Sequence, residues 1–195
     1  MPTIYLASSS PRRRELLEQI GLSHTVINME VDESLPPGLT PIEQVVALSR
    51  RKADAAAHKL AEGIIIAADT VVVLDGKVLG KPADETAAHA VLERLQGVVH
   101  EVFTGITVME LPGGRLLSDF ERTEVQMREV SRGEIARYVA TKEPFDKAGA
   151  YGVQGLAAVF VAGVRGCYSN VVGLPLFKLA RMLKELGVDV SEYWR

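Results

Sequence analysis

The chain has 195 residues, 47% of them apolar and 24% charged, with a net charge of −3 and one cysteine, Cys167. That length fits one globular domain of roughly 100–200 residues, and the composition excludes a disordered or fibrous chain. An intrachain disulfide is impossible, and the overall charge gives no support to a nucleic-acid or anionic-membrane partner.

Met1 to Ser10 lacks the basic stretch and long apolar run of a signal peptide. The longest apolar run, Ile64 to Leu74, is too short for a membrane helix and carries Asp69. A reducing cytoplasm is the expected location.

Strand and helix patterns alternate along the chain, which predicts an α/β domain. Thr3 to Ala7 reads as a strand. Ser10 is a candidate N-cap, Pro11 suits the first helical position and Gly21 the C-terminal cap of a first helix. Pro36-Pro37-Gly38 marks a loop, and a longer helix is predicted from about Pro41 to Glu62. Ile64 to Leu74 reads as a buried strand. Asp75-Gly76 is a hairpin signal returning through Lys77-Val78-Leu79.

A helix is predicted over Asp84 to Leu95, then two long strands, Val99 to Leu111 and Arg115 to Val130, joined by Pro112-Gly113-Gly114. Ser131 and Glu134 form a capping-box pattern for a helix through Ala140. Lys142 to Gly155 reads as a glycine-containing loop, Leu156 to Val164 as a strand, and a last helix follows Gly173-Leu174-Pro175 and ends near Gly187. Paired long strands inside such an alternation predict a mixed sheet. No boundary resembles a linker, so one domain over residues 1–195 is expected, with room for two lobes.

Some residues break local rules. Ser8-Ser9-Ser10-Pro11 is followed by Arg12-Arg13-Arg14. Cations at a helix N-terminus are unfavourable by roughly 0.3–1 kcal/mol each. Serine hydroxyls and backbone N–H groups there would bind phosphate, and arginine adds a bidentate donor. The alternative is a surface helix with solvated arginines. Asp69-Thr70 lies inside the longest apolar run. A buried carboxylate must be paired, protonated or metal-bound. It could ligate Mg²⁺ or act as a base towards water, unless it sits exposed at a strand end.

Lys52 falls on or beside the apolar stripe of Ile42, Val45, Val46, Ser49, Ala53 and Ala56, whereas Arg51 points away from it. It either snorkels or serves a site. Lys81, between Gly80 and Pro82, could reach the same pocket or remain a loop charge. Glu33 alone reads as a surface acid. Asp146 to Gly155 carries Gly149, Gly152 and Gly155 at spacing three but matches neither the dinucleotide fingerprint nor the Walker loop. Tyr151 and Gln154 could stack on or hydrogen-bond to a base, or the stretch is a plain turn-rich connection. Cys167 and the scattered His24, His58, His89 and His100 form no ligand spacing.

The ordered set Leu6-Ala7-Ser8-Ser9-Ser10-Pro11-Arg12-Arg13, Ser49-Arg50-Arg51-Lys52-Ala53, Ala68-Asp69-Thr70-Val71-Val72, Gly80-Lys81-Pro82, Thr104-Gly105-Ile106, Asp146 to Gly155 and Val172-Gly173-Leu174-Pro175-Leu176 resembles the Maf family of nucleoside triphosphate pyrophosphatases over essentially the whole chain. The resemblance implies a mixed, twisted sheet with flanking helices, related to inosine triphosphate pyrophosphatase-like folds, with a cleft between two lobes. It implies a divalent cation (Mg²⁺ or Mn²⁺), a nucleoside triphosphate substrate cut between its α- and β-phosphates, and a homodimer; no nucleic-acid or membrane partner is expected, from the net charge and the short apolar runs.

By the same resemblance Asp69 is the acid-base residue, with Lys52 and Lys81 beside it in catalysis, and Asp69 and Glu33 hold the metal. Arg12, Thr70 and Gln154 are linked to substrate selection, and Ser8 and Ser10 to phosphate contacts; Arg13 in the arginine cluster and Tyr151 in the glycine-containing loop are candidate substrate contacts from the residues alone. The run Ala150-Tyr151-Gly152-Val153-Gln154-Gly155 resembles the branch that prefers dTTP and UTP. A glutamine amide donates and accepts at once, as a pyrimidine edge requires. The alternatives are the 7-methyl-GTP branch and a nucleotide-binding regulator of septation with little turnover.

Overall fold

Ile4–Leu6 forms a strand, β1, with Ile4 and Leu6 buried. The computed structural model describes residues 1–28 and 30–194. After β1 come α1 (Pro11–Gln19), β2 (Thr25–Val26), α2 (Pro41–Ala57), β3 (Gly63–Leu74), β4 (Lys77–Leu79), α3 (Glu85–Leu95) and β5 (Val99–Leu111). β6 (Leu116–Met127), α4 (Arg132–Ala140), β7 (Val161–Arg165), α5 (Tyr168–Val172) and α6 (Leu176–Glu185) follow, with a 3₁₀ turn over Val190–Tyr193 after α6. The strands hydrogen-bond in the order β2-β1-β3-β5-β6-β7, with β4 on β3. β1 runs parallel to β2 and β3, whereas β3–β4 and β6–β7 are antiparallel, so the sheet is mixed as the alternation predicted.

The chain divides into two compact units, and β3, β5 and β6 each pass from one into the other. The first comprises Met1–Asp69, Thr104–Glu121 and Gly173–Arg195. Here α2 is started by a complete capping box: Thr40 Oγ1 accepts from Glu43 N and Glu43 Oε2 accepts from Thr40 N. Its small Ala53 and Ala56 pack on Ala7, Ile65, Ala67 and Met109. The approach is close because Gly105 has no side chain: a Cβ there would lie 2.2 Å from the Val45 carbonyl oxygen. Ser49, fully buried on that face, bonds Thr107 at 3.0 Å, and Thr107 bonds Ser118 at 2.9 Å. α2 ends at Ala57, short of the predicted Glu62. The chain must turn earlier because β3 begins at Gly63, whose positive φ and contact with the Thr3 carbonyl leave no room for a Cβ.

The second unit comprises Thr70–Phe103 and Arg122–Val172. Asp75 and Gly76 both have positive φ and close the β3–β4 hairpin, as the Asp-Gly pair predicts. Asp84 caps α3, and Ser131 and Glu134 form the capping box of α4. The core joins Val72, Leu92, Leu95, Val125, Ile135, Tyr138, Tyr151 and Phe160.

One predicted element differs. Leu156 to Val164 is a 3₁₀ turn over Leu156–Phe160, and the strand starts only at Val161. Ala157 and Phe160 are buried while Leu156 and Val159 are exposed, a three-residue period that suits a 3₁₀ turn and not a strand. The two residues of β2 and the five of α5 are too short to leave a periodic signal in sequence.

Candidate active site

The exception inside the apolar run is a structured one. Asp69 lies within β3, only 9% exposed, and Lys52 Nζ stands 2.6 Å from its Oδ1. The same ammonium stands 2.8 Å from Glu33 Oε1. Lys52 thus projects from α2 between a carboxylate of a buried strand and one of a loop. The Glu33 side chain is 61% exposed, so its pairing alone is worth little, about 0–1 kcal/mol. The more shielded Lys52–Asp69 contact is the stronger, since screening by water is weaker there.

Sequence reasoning missed what holds Glu33. Arg51, adjacent to Lys52 on α2, donates from Nη1 to the carbonyl oxygens of Asp32 and Ser34, the latter at 2.9 Å. Asp32 then accepts from Ser34 N at 2.9 Å and from Ser34 Oγ at 2.7 Å, closing a tight turn around Glu33. Ser34 also draws the Asp32 carboxyl below its ordinary pKa. Arg51 secures the loop backbone on both sides of Glu33, and Lys52 receives its side chain. The signal was available: consecutive helical residues point about 100° apart, so a cation off the apolar stripe can reach a loop that its neighbour also meets.

The serine-rich turn reaches the same group. Ser10 occupies the N-cap of α1 but makes no side-chain cap bond. Instead Ser8 Oγ accepts from Ser10 N at 3.2 Å and from Arg13 Nη1 at 3.1 Å. Arg13 Nε donates to the Gly173 carbonyl at 2.8 Å. Burial lowers the Arg13 pKa; Asp69 opposes that, Arg12 adds to it, and Glu33 opposes it again. These listeners to one another's charge place Arg12, Arg13, Glu33 and Asp69 in one electrostatic neighbourhood. The third arginine stands apart: Arg14 is a surface residue pairing with Glu18 one turn on, at 3.7 Å.

The remaining predicted residues belong to the second unit. Thr70 follows Asp69 in β3 and is half-buried, and Lys81 and Gln154 are exposed. Tyr151 is not placed as the stacking reading expects. It is 5% exposed within the core, and its hydroxyl lies 2.6 Å from His100 Nε2. Burial raises the Tyr151 pKa, so the hydroxyl stays neutral, and no ring face is open to a base. Nothing local marks His100, because its partner lies 51 positions along the chain.

Asp69 and Glu33 also pass a chemical test for a divalent cation. Both are hard oxygen donors, and both already converge on one positive charge at Lys52. Among the described residues no group of three or more His, Cys, Asp and Glu could hold a metal. A cation on two carboxylates would complete its shell with water and phosphate oxygens, which is how Mg²⁺ is usually bound. The donor set therefore suits Mg²⁺ or Mn²⁺ bound together with a phosphorylated ligand.

The chain has relatives among known proteins. A family model described as Maf-like protein matches residues 3–186, and the chain belongs to the Maf-like protein family. It is 53% identical to the dTTP/UTP pyrophosphatase of Pelotomaculum thermopropionicum over 97% of this chain and 100% of that protein. It is also 53% identical to the dTTP/UTP pyrophosphatase of Carboxydothermus hydrogenoformans, over 94% and 98% of the two chains. The protein of the same name from Bacillus cereus strain AH820 is 42% identical over 98% and 99%. Among solved structures, the Ham1 protein of Staphylococcus aureus aligns with 64% of this chain and 71% of its own, at TM-score 0.46 and 18% identity. Among the described residues no helix is long and apolar enough to cross a membrane.

Proposed function

We propose that this chain is a nucleotide diphosphatase that hydrolyses dTTP and UTP to the monophosphate and pyrophosphate, a house-cleaning activity. The curated relatives that it matches over nearly their whole length carry that name. The observation that carries the reading into chemistry is the Lys52 ammonium held at 2.6 Å from Asp69 and 2.8 Å from Glu33.

Asp69 is the proton acceptor. It takes a proton from a water whose oxygen bonds to the α-phosphorus, while the bond from that phosphorus to the bridging oxygen breaks and pyrophosphate leaves. Such reactions depend mainly on positioning and charge stabilisation. Lys52, Arg12 and Arg13 supply fixed positive charge to the phosphates, and Ser8 and Ser10 supply hydroxyls. Lys81 serves as a further phosphate cation and Thr70 and Gln154 as selecting residues. A divalent cation held by Asp69 and Glu33 would neutralise charge on the phosphate oxygens. The reading also includes a cytoplasmic location, a homodimer and no nucleic-acid partner.

The test is pyrophosphate release from dTTP, UTP, CTP, GTP and 7-methyl-GTP with Mg²⁺ or Mn²⁺, before and after chelation. Fastest release from dTTP and UTP, lost on chelation and restored by the metal, is expected. Preference for 7-methyl-GTP would move the protein to the other branch. Nucleotide binding without release would mark a regulator.

A further inference from the structure

The three glycines spaced by three in the loop before residue 156 match no phosphate-binding pattern, and the structure gives each a different reason. In every case another side chain occupies the space of the missing Cβ: Val72 Cγ1 at 2.9 Å for Gly149, Lys147 Cε at 2.7 Å for Gly152, and Glu143 Oε1 at 2.2 Å for Gly155. The loop is therefore wrapped on Glu143 and Lys147, not on a ligand.

Glu143 is the hub. Its Oε1 accepts from the Tyr138 hydroxyl at 3.0 Å, and its Oε2 accepts from Leu156 N at 3.0 Å. The Tyr138 oxygen in turn accepts from the Gly152 backbone. Lys147 donates to the Glu143 carbonyl at 2.7 Å and to Asp146 Oδ1 at 2.6 Å, closing the base of the turn. One carboxylate thus fixes residue 152 through a tyrosine and residue 156 directly, two positions either side of Gln154.

We propose that Glu143 is a positioning residue for nucleobase selection, holding through Tyr138 and the Leu156 amide the turn that presents Gln154. The role rests on the reading of Gln154 as a selecting residue. Gln154 is exposed, so its own packing does not fix its direction, and the backbone beneath it must. A primary amide offers a donor on one side and an acceptor on the other. Selection therefore requires that this pair meet the base edge in one orientation, and a loosened turn loses that before it loses phosphate chemistry.

The experiment compares Glu143→Ala, Glu143→Gln and Tyr138→Phe with the unsubstituted full chain. Glu143→Ala should raise KM for UTP and lower the kcat/KM preference for UTP over CTP, each by roughly ten-fold, with kcat at saturation little changed. Glu143→Gln, which keeps an acceptor for Leu156 N and can donate to the tyrosine oxygen, should recover most of the preference. Tyr138→Phe should fall between them and serves where the alanine variant does not fold. Hydrogen exchange of the nucleotide-free protein should show faster exchange at the Gly152 and Leu156 amides in Glu143→Ala. Unchanged exchange, unchanged preference, or a loss confined to kcat would each overturn the proposal. If the unsubstituted protein hydrolyses no triphosphate, the functional reading fails and the selecting role with it, while the exchange result still reports whether the clamp exists.

Discussion

Lys52 and Asp69 meet at 2.6 Å with side chains only 14% and 13% exposed, and their partner segments, a helix and a central strand, are both rigid. A carboxylate held this way cannot swing into solvent when a ligand leaves. Its direction is set by the fold.

Asp69→Asn keeps the size and a hydrogen-bond acceptor for Lys52 but removes the carboxylate that the proposed function makes the proton acceptor. Pyrophosphate release from UTP should fall by about 10²–10⁴-fold, the usual contribution of a positioned base. The melting temperature should stay within a few degrees of the unsubstituted protein. Turnover near the original rate would remove Asp69 from the chemistry.

Arg51 touches neither Lys52's ammonium nor Asp69, yet it holds the backbone on both sides of Glu33. Arg51→Met should free the 32–34 turn and let Glu33 drift from Lys52. A drop in kcat/KM of roughly 10–100-fold is expected, the range for residues that orient a ligating or catalytic group. Arg51→Lys should restore little, because the lysine side chain is one bond shorter and its ammonium falls short of the place that Nη1 holds between the two carbonyls. Full activity in both variants would show that the turn holds itself through Asp32 and Ser34.

How far the sequence foretold this depends on the kind of signal. Asp69 was conspicuous because a charge in a β-branched run has few innocent explanations. Lys52 lies on or beside a helical stripe, a position that suits a snorkelling lysine as well as a functional one, and the Ser131–Glu134 cap follows from local hydrogen-bond chemistry. What stayed hidden was carried by contacts between distant segments. Tyr151 looks like a base-stacking residue until His100 is seen 51 positions away, holding its hydroxyl in the core. Glu143 carries no local signal, because nothing near it in sequence says that Gly155 makes room for its carboxylate.

Gly105 links the fold to the site. Its missing Cβ lets the α2 backbone sit on β5 at Val45, seven residues before Lys52 on the same helix. Gly105→Ala would place a methyl 2.2 Å from the Val45 carbonyl oxygen, so the helix must shift. Overpacking of this kind costs about 1–3 kcal/mol, or roughly 2–12 °C in melting temperature for a chain of this size. Because the shifted helix carries Lys52, activity should fall at temperatures where the variant is still folded. Thermal unfolding and a UTP assay at low temperature together check this. A variant with unchanged melting and unchanged turnover would mean that the contact is relieved without moving α2.

His100 sets a pH limit on stability. It is 1% exposed, and burial lowers its pKa from 6.5 to about 4. Its Nδ1 is buried without a hydrogen-bond partner, so nothing compensates a positive charge on the ring. Between those two values the unfolded chain binds a proton that the folded ring refuses. Stability is therefore fully present above pH 6.5, falls as the pH drops through that range, and has lost about 3 kcal/mol from this group near pH 4. The carboxylates of Asp32, Glu43, Glu85, Glu134 and Asp189 are all held below their ordinary values, so their contributions are lost only below about pH 4.5. His100→Gln still bonds the Tyr151 hydroxyl but does not titrate. Urea unfolding from pH 7 to 4.5 should show a steeper loss of stability in the unsubstituted protein than in this variant. Parallel slopes would show that the ring takes up its proton without leaving the fold.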